Sequence, residues 1–100
     1  MNRSSLILKQ KLVLQNGLVR EAVIWKVTKS QKYPDGVRYR LALADPFSGE
    51  LLVLFDNHFP KGHHKHLHGV ESAYEYGSVD QLVDDFLSVC KKEETKYEND

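Results

Sequence analysis

The sequence predicts an α+β fold: an antiparallel β-meander of four to five strands with one C-terminal helix packed on a face of the sheet. Two observations indicate the sheet, namely segments in which apolar and polar residues alternate and the turn-forming sequences that separate them. A third observation, one apolar stripe at helical spacing, indicates the helix. With 100 residues, 41% of them hydrophobic, the chain can fill one core, so we expect a single domain over residues 1–100.

The first two strands are predicted to form a hairpin. Residues 6–15 alternate, with four leucines on one face, which predicts a half-buried strand. Asn16-Gly17 follows, a pair that tolerates positive φ at both positions and therefore predicts a tight turn. Residues 18–28 are rich in valine and isoleucine, include the one tryptophan, and are expected to form the returning strand.

Two further strands are predicted between recognisable turns. Residues 33–36 read Y-P-D-G and residues 45–49 read D-P-F-S-G, and both sequences favour turns. The alternating residues 37–44 between them predict the third strand. Residues 50–55 are nearly all apolar, which predicts a fourth strand covered on both faces. Residues 73–76 are expected to add a short fifth strand.

The helix is predicted to begin at Ser78, which forms with Gln81 the S-x-x-Q version of a capping box. Three aspartates of this segment are expected to face solvent. The apolar stripe that faces the sheet consists of Val79, Leu82, Val83, Phe86, Leu87 and Cys90.

Both ends of the chain are expected to be less ordered. The sequence is charged from Lys91 onward, which predicts fraying of the helix there. We therefore expect residues 1–5 and about 92–100 to be flexible. The charged tail either keeps the protein soluble or docks a partner.

Composition excludes several classes of function. The formal net charge is +0, so no global field draws the protein to nucleic acid, and any such binding needs a local patch. The one cysteine excludes an internal disulfide. We find no secretory segment and no apolar run of membrane-spanning length, so we expect a cytoplasmic protein without membrane contact. A single helix also argues against a helix-turn-helix reader of DNA.

All five histidines fall within one segment, Asp56–Gly69, which is expected to be a loop after the fourth strand. His64, His66 and His68 alternate, so in an extended chain their side chains point to one face. Imidazole exchanges protons near neutral pH and is the commonest metal ligand. The segment therefore predicts either a reactive site or, as the alternative, a histidine-rich surface loop without a role.

Metal binding is one chemistry open to this segment. Two histidines at i and i+2 can reach one ion, and Asp56 could complete the set. Stable sites need three or four ligands, and no cysteine or H-E-x-x-H pattern adds to this pair. We therefore assign no metal ligand and expect no cofactor.

The other chemistry is cleavage of RNA by acid–base catalysis. Such cleavage needs a base for the 2′-hydroxyl proton, an acid for the leaving oxygen and a cation for the phosphate. His64 and His66 are the predicted pair, and Lys61 or Lys65 is the predicted cation. Asp56 is expected to orient one imidazole.

Three further residues are candidates for substrate binding. Asn57 either bonds a phosphate oxygen or holds the turn. Arg38 and Arg40 share one face of the third strand, where they form a phosphate-contacting patch beside the loop or simply its solvent side.

The same segment carries a resemblance to a known family. The run D-N-x-x-x-K-G-x-H-x-H-x-x-G at 56–69 resembles the signature of the TumE-like toxins of prokaryotic toxin–antitoxin modules. The stretch E-x-x-Y-x-x-x-S-V-x-x-L at 71–82 is similar too, as is the strand–turn–strand opening that ends in V-I-W at 23–25. The resemblance covers about residues 6–87, and the segment around the histidines is its specific part.

The resemblance implies a small intracellular toxin with a helix-turn-helix antitoxin as its partner. His64 and His66 match the motif, whereas the other three histidines do not. Our leading hypothesis is a metal-independent ribonuclease. A non-enzymatic module that inhibits its target by binding, and a metal-dependent nuclease or nucleotidyl-modifying enzyme, are the alternatives. The antitoxin is expected to cover the loop and the Arg38/Arg40 face, and exposed sheet edges allow a homodimer.

Overall fold

The computed structural model describes residues 4–98. Within them, six antiparallel strands form one sheet in chain order, followed by one helix. The elements are β1 (Ser4–Val13), β2 (Val19–Val27), β3 (Val37–Asp45), β4 (Glu50–Asp56), β5 (His64–Leu67), β6 (Val70–Ala73) and α1 (Val79–Glu98). The predicted meander with a C-terminal helix is confirmed. The sheet has more strands than predicted because the histidine segment, expected to be a loop, supplies β5 and pairs with β6.

The tight turn with two successive positive φ values lies at a different place from the predicted one. After β1, Gly17 has φ of +88° and its N–H donates to the carbonyl of Leu14, but Asn16 does not have positive φ. This is a three-residue loop ending in a left-handed glycine. The two successive positive values occur at His68 (+49°) and Gly69 (+80°), which join β5 to β6.

The edge strand β1 is more exposed than the alternating sequence predicted. A bulge at Ile7 interrupts its pairing with β2 and sends Leu6 and Leu8 to opposite faces of the sheet. Leu8 is half-buried, but Leu6 is 48% exposed and Leu12 is 37% exposed. The prediction of a half-buried strand with its leucines on one face is therefore wrong.

The core lies between α1 and one face of the sheet. Phe86 of α1 meets Phe55 of β4 edge to face, with ring centroids 5.7 Å apart. Cys90 is fully buried beside them, and desolvation raises the pKa of its thiol to about 12, as expected of a packing residue. The most deeply buried side chains are Leu18, Ile24, Leu41, Leu43, Leu52, Val53, Phe55, Leu82, Phe86 and Cys90.

The nearly continuous apolar run of β4 has a different cause from the predicted one. The pairing of β4 with β3 shifts between Leu51 and Val53, which leaves Leu52 as an extra residue. Such a bulge lets two consecutive side chains enter the same core, and both Leu52 and Val53 are buried in it. Leu54 points to the other face and is half-buried, and no described helix covers that face. The predicted coverage on both faces is wrong.

The start of α1 follows the predicted cap only in part. Ser78 Oγ accepts a hydrogen bond from the backbone N–H of Gln81 at 3.1 Å, as an N-cap residue does. The Gln81 side chain donates to Asp85 Oδ1, and Tyr74 Oη donates to Asp85 Oδ2, so Asp85 is half-buried rather than solvated. Leu87 is 39% exposed at the margin of the stripe.

Among residues 4–98, no helix is both long and apolar enough to cross a membrane.

The charged end of α1 is helical to Glu98, and one buried carboxylate, that of Glu93, ties this end to the sheet. His68 Nε2 lies 2.8 Å from Glu93 Oε2, and its Nδ1 lies 3.2 Å from Glu50 Oε1. Glu93 is 6% exposed and also accepts from Lys96. The hydrogen bonds to Glu93 and then Glu50 raise the pKa of His68, because both partners favour the imidazolium.

This arrangement predicts a pH-dependent contribution to stability. His68→Gln should lower the free energy of unfolding at about pH 6 by about 1 kcal/mol, a value that allows for solvent screening of the half-exposed ring. The folded-state pKa lies above the unfolded value, so the stabilisation is complete below about pH 6.5 and is lost as pH rises through the folded pKa. Urea unfolding at about pH 6 and about pH 9 measures it, with His58→Gln as the exposed-histidine control. An equal loss at both pH values would contradict the assignment.

Candidate active site on the uncovered face of the sheet

The face of the sheet opposite α1, here called the uncovered face, gathers most of the predicted site. Directly paired residues of neighbouring strands point to the same face, so the register defines rows across the sheet. One row runs Val23, Arg40, Asp56, His64 and Ala73, and the adjacent row runs Glu21, Ala42, Leu54, His66 and Glu71. His64 and His66 thus share a face, and their ring centroids are 5.1 Å apart. His68 leaves this row because it lies in the turn.

His64 is the most constrained histidine of the site. Its side chain is 9% exposed, and its Nδ1 lies 2.7 Å from the backbone carbonyl of Gly62. A carbonyl oxygen only accepts hydrogen bonds, so Nδ1 carries a proton. In the neutral ring the lone pair is therefore on Nε2. Nε2 is the nitrogen that can exchange a proton or bind a metal ion.

Asp56 lies beside that nitrogen. Its Oδ1 is 3.6 Å from His64 Nε2 and accepts the backbone N–H of His58 at 2.7 Å. The sequence predicted that Asp56 would orient an imidazole and fix its tautomer. The tautomer of His64 is fixed by Gly62 instead, and Asp56 is placed as an ion-pair partner for the protonated ring.

His66 has a second carboxylate as its neighbour. Its Nε2 lies 4.0 Å from Glu71 Oε1, beyond hydrogen-bond distance. Both oxygens of Glu71 instead accept from Lys61 Nζ at 3.1 Å, and this hydrogen bond lowers the pKa of Glu71. The site therefore contains, as successive neighbours, a cationic lysine, a carboxylate and two imidazoles.

His63 has a structural role next to the site. Its Nε2 lies 2.7 Å from Asp35 Oδ2 and its Nδ1 lies 2.8 Å from Tyr39 Oη, while Tyr76 stacks on the ring at 4.7 Å. Burial, followed by nearby charged groups, raises the pKa of Tyr39, so its hydroxyl keeps its proton and donates to His63. These contacts fix the chain immediately before His64.

Asn57 also holds the framework. It is 4% exposed, its Oδ1 accepts the backbone N–H of Tyr39 at 2.9 Å, and its Nδ2 donates to the carbonyl of Val37 at 2.8 Å. Of the two roles considered for Asn57, this geometry favours support of the turn over contact with a phosphate.

The predicted basic residues divide between the two faces. Arg38 and Arg40 are exposed on the uncovered face, where they line an open pocket of about 300 Å³ together with Trp25 and Asp56. Lys65 pairs directly with Phe55, a core residue, and so lies on the face that carries α1. The structure brings the two arginines near the histidines and does not bring Lys65 there.

Two further residues belong to this site: Glu71, for which no role was predicted, and Trp25, the one tryptophan. Glu71 reaches the site because β6 pairs with β5, and the signal for that hairpin was the His68-Gly69 pair between two short alternating segments. Trp25 faces the pocket because it pairs with Arg38. Alternation along β2 places Trp25 and its buried neighbour Ile24 on opposite faces of the sheet. That Trp25 lines a pocket with the arginines depends on the register between β2 and β3, which alternation does not give.

Comparison with known proteins identifies the chain's relatives at the family level. The family model described as Toxin TumE matches residues 3–94. No match was found among curated proteins, and none among solved structures.

The contacts of Asn57 predict a loss of stability rather than of chemistry alone. Asn57→Ala should lower the free energy of unfolding by about 2 kcal/mol, because a buried N–H of Tyr39 and a buried carbonyl of Val37 lose their partners. Chemical denaturation followed by circular dichroism measures the loss. Asn16→Ala, which removes a single acceptor at a partly buried turn, is the control and should cost less. If Asn57→Ala left the free energy of unfolding unchanged, the structural role would be wrong and contact with a phosphate would be the remaining role for Asn57.

Proposed function

The chain belongs to the TumE toxin family of toxin–antitoxin modules, and from this premise we propose that it arrests growth by cleaving RNA with a pair of histidines. One observation carries the proposal. His64 and His66 lie side by side on the uncovered face. Nδ1 of His64 donates to the Gly62 carbonyl, so Nε2 is the nitrogen available for proton exchange. Two imidazoles at this separation can exchange protons with the attacking 2′-hydroxyl and with the leaving 5′-oxygen of one phosphodiester.

The neighbouring carboxylates support different roles for the two rings. Asp56 Oδ1 lies 3.6 Å from His64 Nε2, and we assign His64 as the general acid. Glu71, the carboxylate beside His66, is already paired with Lys61, and we assign His66 as the general base. These roles require that Nε2 of His64 carry the proton to be delivered and that His66 be neutral when the reaction begins.

The reaction follows from this starting state. His66 takes the proton of the 2′-hydroxyl as the 2′-oxygen attacks phosphorus. The bond from phosphorus to the 5′-oxygen breaks, and His64 gives its Nε2 proton to that leaving oxygen. The products are a 2′,3′-cyclic phosphate and a 5′-hydroxyl, with the proton of the pair now on His66. Lys61 lines the same pocket as His64 and offers the positive charge for the phosphate.

The arginine pocket supports binding of a neighbouring nucleotide. Arg40 is in the same row as His64, two strands away, which is about 10 Å. Trp25 offers an aromatic surface on which a base can stack, and Arg38 and Arg40 offer contacts for a flanking phosphate. A single-stranded segment lying across β2 to β5 would engage both pockets.

Membership in the family implies an antitoxin partner. We propose that this antitoxin is a helix-turn-helix protein and that it covers the uncovered face, where it would block both histidines and the arginines. The long edge strand β1, with exposed Leu6 and Val13, supports pairing with a second copy of the chain as a further mode of assembly.

The first test removes both imidazoles. His64→Ala/His66→Ala should abolish growth arrest and reduce cleavage of RNA at least about 10²-fold, because each ring supplies one proton transfer. Total RNA is followed after induction, and circular dichroism verifies the fold. His68→Gln, a histidine of the same segment that lies in the turn outside both pockets, is the matched control and should remain toxic. Growth arrest by the wild type with intact RNA would reject the nuclease and favour a toxin that acts by binding.

The second test concerns the arginines. Arg38→Gln and Arg40→Gln should each weaken binding of single-stranded RNA and reduce the slope of log K against log salt by about 0.7, the value for one phosphate contact. Lys26→Gln removes one exposed charge from the opposite face and should leave the slope unchanged. Fluorescence anisotropy over a salt series, with a catalytically silent parent, measures both. An equal effect of all three substitutions would indicate only a general loss of charge.

A further inference from the structure

We propose that His64, His66 and Glu71 form a binding site for a divalent transition-metal ion of the zinc class, and that the bound ion silences the acid–base pair. Binding of the ion does not depend on the proposed function. The silencing rests on it, because only a catalytic pair can be inactivated in this way.

The donor set supports this ion chemistry. One ligand atom from each of the three residues lies within 4.8 Å of the others. Two imidazole nitrogens and one carboxylate oxygen are a set that zinc accepts, with a water molecule or a fourth ligand completing the tetrahedron. Asp56 Oδ1 lies 3.6 Å from His64 Nε2 and offers a further carboxylate oxygen.

The hydrogen bond of His64 supplies a second, independent argument. Histidines that bind metals commonly donate their other ring N–H to a carbonyl or carboxylate, which fixes the tautomer and orients the ring. His64 Nδ1 donates to the Gly62 carbonyl at 2.7 Å, and the ring is nearly buried. Its Nε2 is therefore prepared as a ligand before any ion arrives.

The remaining ligands can close around an ion. Tetrahedral bonds of about 2.1 Å place ligand atoms about 3.4 Å apart, so the present arrangement must contract by about an ångström. His66 is 25% exposed and Glu71 is 40% exposed, which leaves both side chains room to adjust around the fixed His64. The two residues are direct cross-strand partners, so their backbones need not move.

Lys61 competes with the ion for Glu71. Its ammonium group lies 3.1 Å from both carboxylate oxygens, and its side chain is 59% exposed. An arriving dication must displace it, and the exposed lysine can turn into solvent. Removal of the lysine should therefore tighten metal binding, an effect that unspecific chelation by a histidine-rich surface would not show.

Occupancy has a defined chemical consequence. An imidazole whose lone pair is bound to a metal ion can neither take nor deliver a proton at that nitrogen. The ion and RNA cleavage would therefore exclude each other, and a chelator would restore cleavage.

Titration of the metal-free full chain with Co²⁺, followed by its visible absorption, tests the binding, with Zn²⁺ displacement to confirm the site. We expect one ion per chain. The affinity for Co²⁺ should fall at least about 10-fold in His64→Gln, His66→Gln and Glu71→Gln. It should rise in Lys61→Ala. It should stay unchanged in the matched controls His58→Gln and Glu75→Gln, which alter exposed residues. Absence of binding, or equal loss in the controls, would overturn the site.

The silencing is tested separately by cleavage of RNA with and without Zn²⁺. Inhibition of the wild type that is reversed by chelator supports it. Zinc-stimulated cleavage, or full activity of the zinc-loaded chain, would overturn the silencing. If the wild type cleaves no RNA under any condition, the proposed function and the silencing fail together, while the Co²⁺ titration still decides the binding.

Discussion

The structure depends on the antiparallel register of β4 and β5. Pairing of Asp56 with His64 and of Leu54 with His66 sends both imidazoles to the uncovered face, and a slip by one residue would turn them towards the core. Polar contacts support the two ends of this pair of strands. Asn57 ties the end of β4 to β3, and His68 ties the far turn to α1. The cost of an unpaired buried amide or carboxylate therefore protects the geometry of the site.

The five histidines have separable roles that their clustering in the sequence conceals. His63 and His68 are each bonded at both ring nitrogens to groups of the framework. His64 is bonded at one nitrogen only, and the other faces the uncovered side of the sheet. The number of occupied ring nitrogens, rather than proximity in sequence, distinguishes a histidine that holds the fold from one that can exchange protons.

Alternation along single strands predicted which residues lie on the buried face of β3, and the stripe on α1 predicted the helix residues of the core, Leu82, Phe86 and Cys90. Alternation failed where the register shifts, at the Ile7 bulge and at Leu52, because a bulge reverses the sides of the strand without any change in composition. The pairing of β5 with β6 was missed because four-residue strands carry little periodic signal. As a result, Glu71 was absent from the predicted site although His64 and His66 were named.

The position of Glu71 allows the site two chemistries, proton transfer and metal binding. Paired with Lys61, its charge is balanced and the two imidazoles remain free for proton transfer. Released from Lys61, the same carboxylate faces two imidazole nitrogens and completes a set of metal ligands. Because Lys61 is exposed and its ion pair is weakly held in water, little free energy separates the two arrangements. Whether Glu71 is paired with Lys61 or with a metal ion thus determines which chemistry the uncovered face can support.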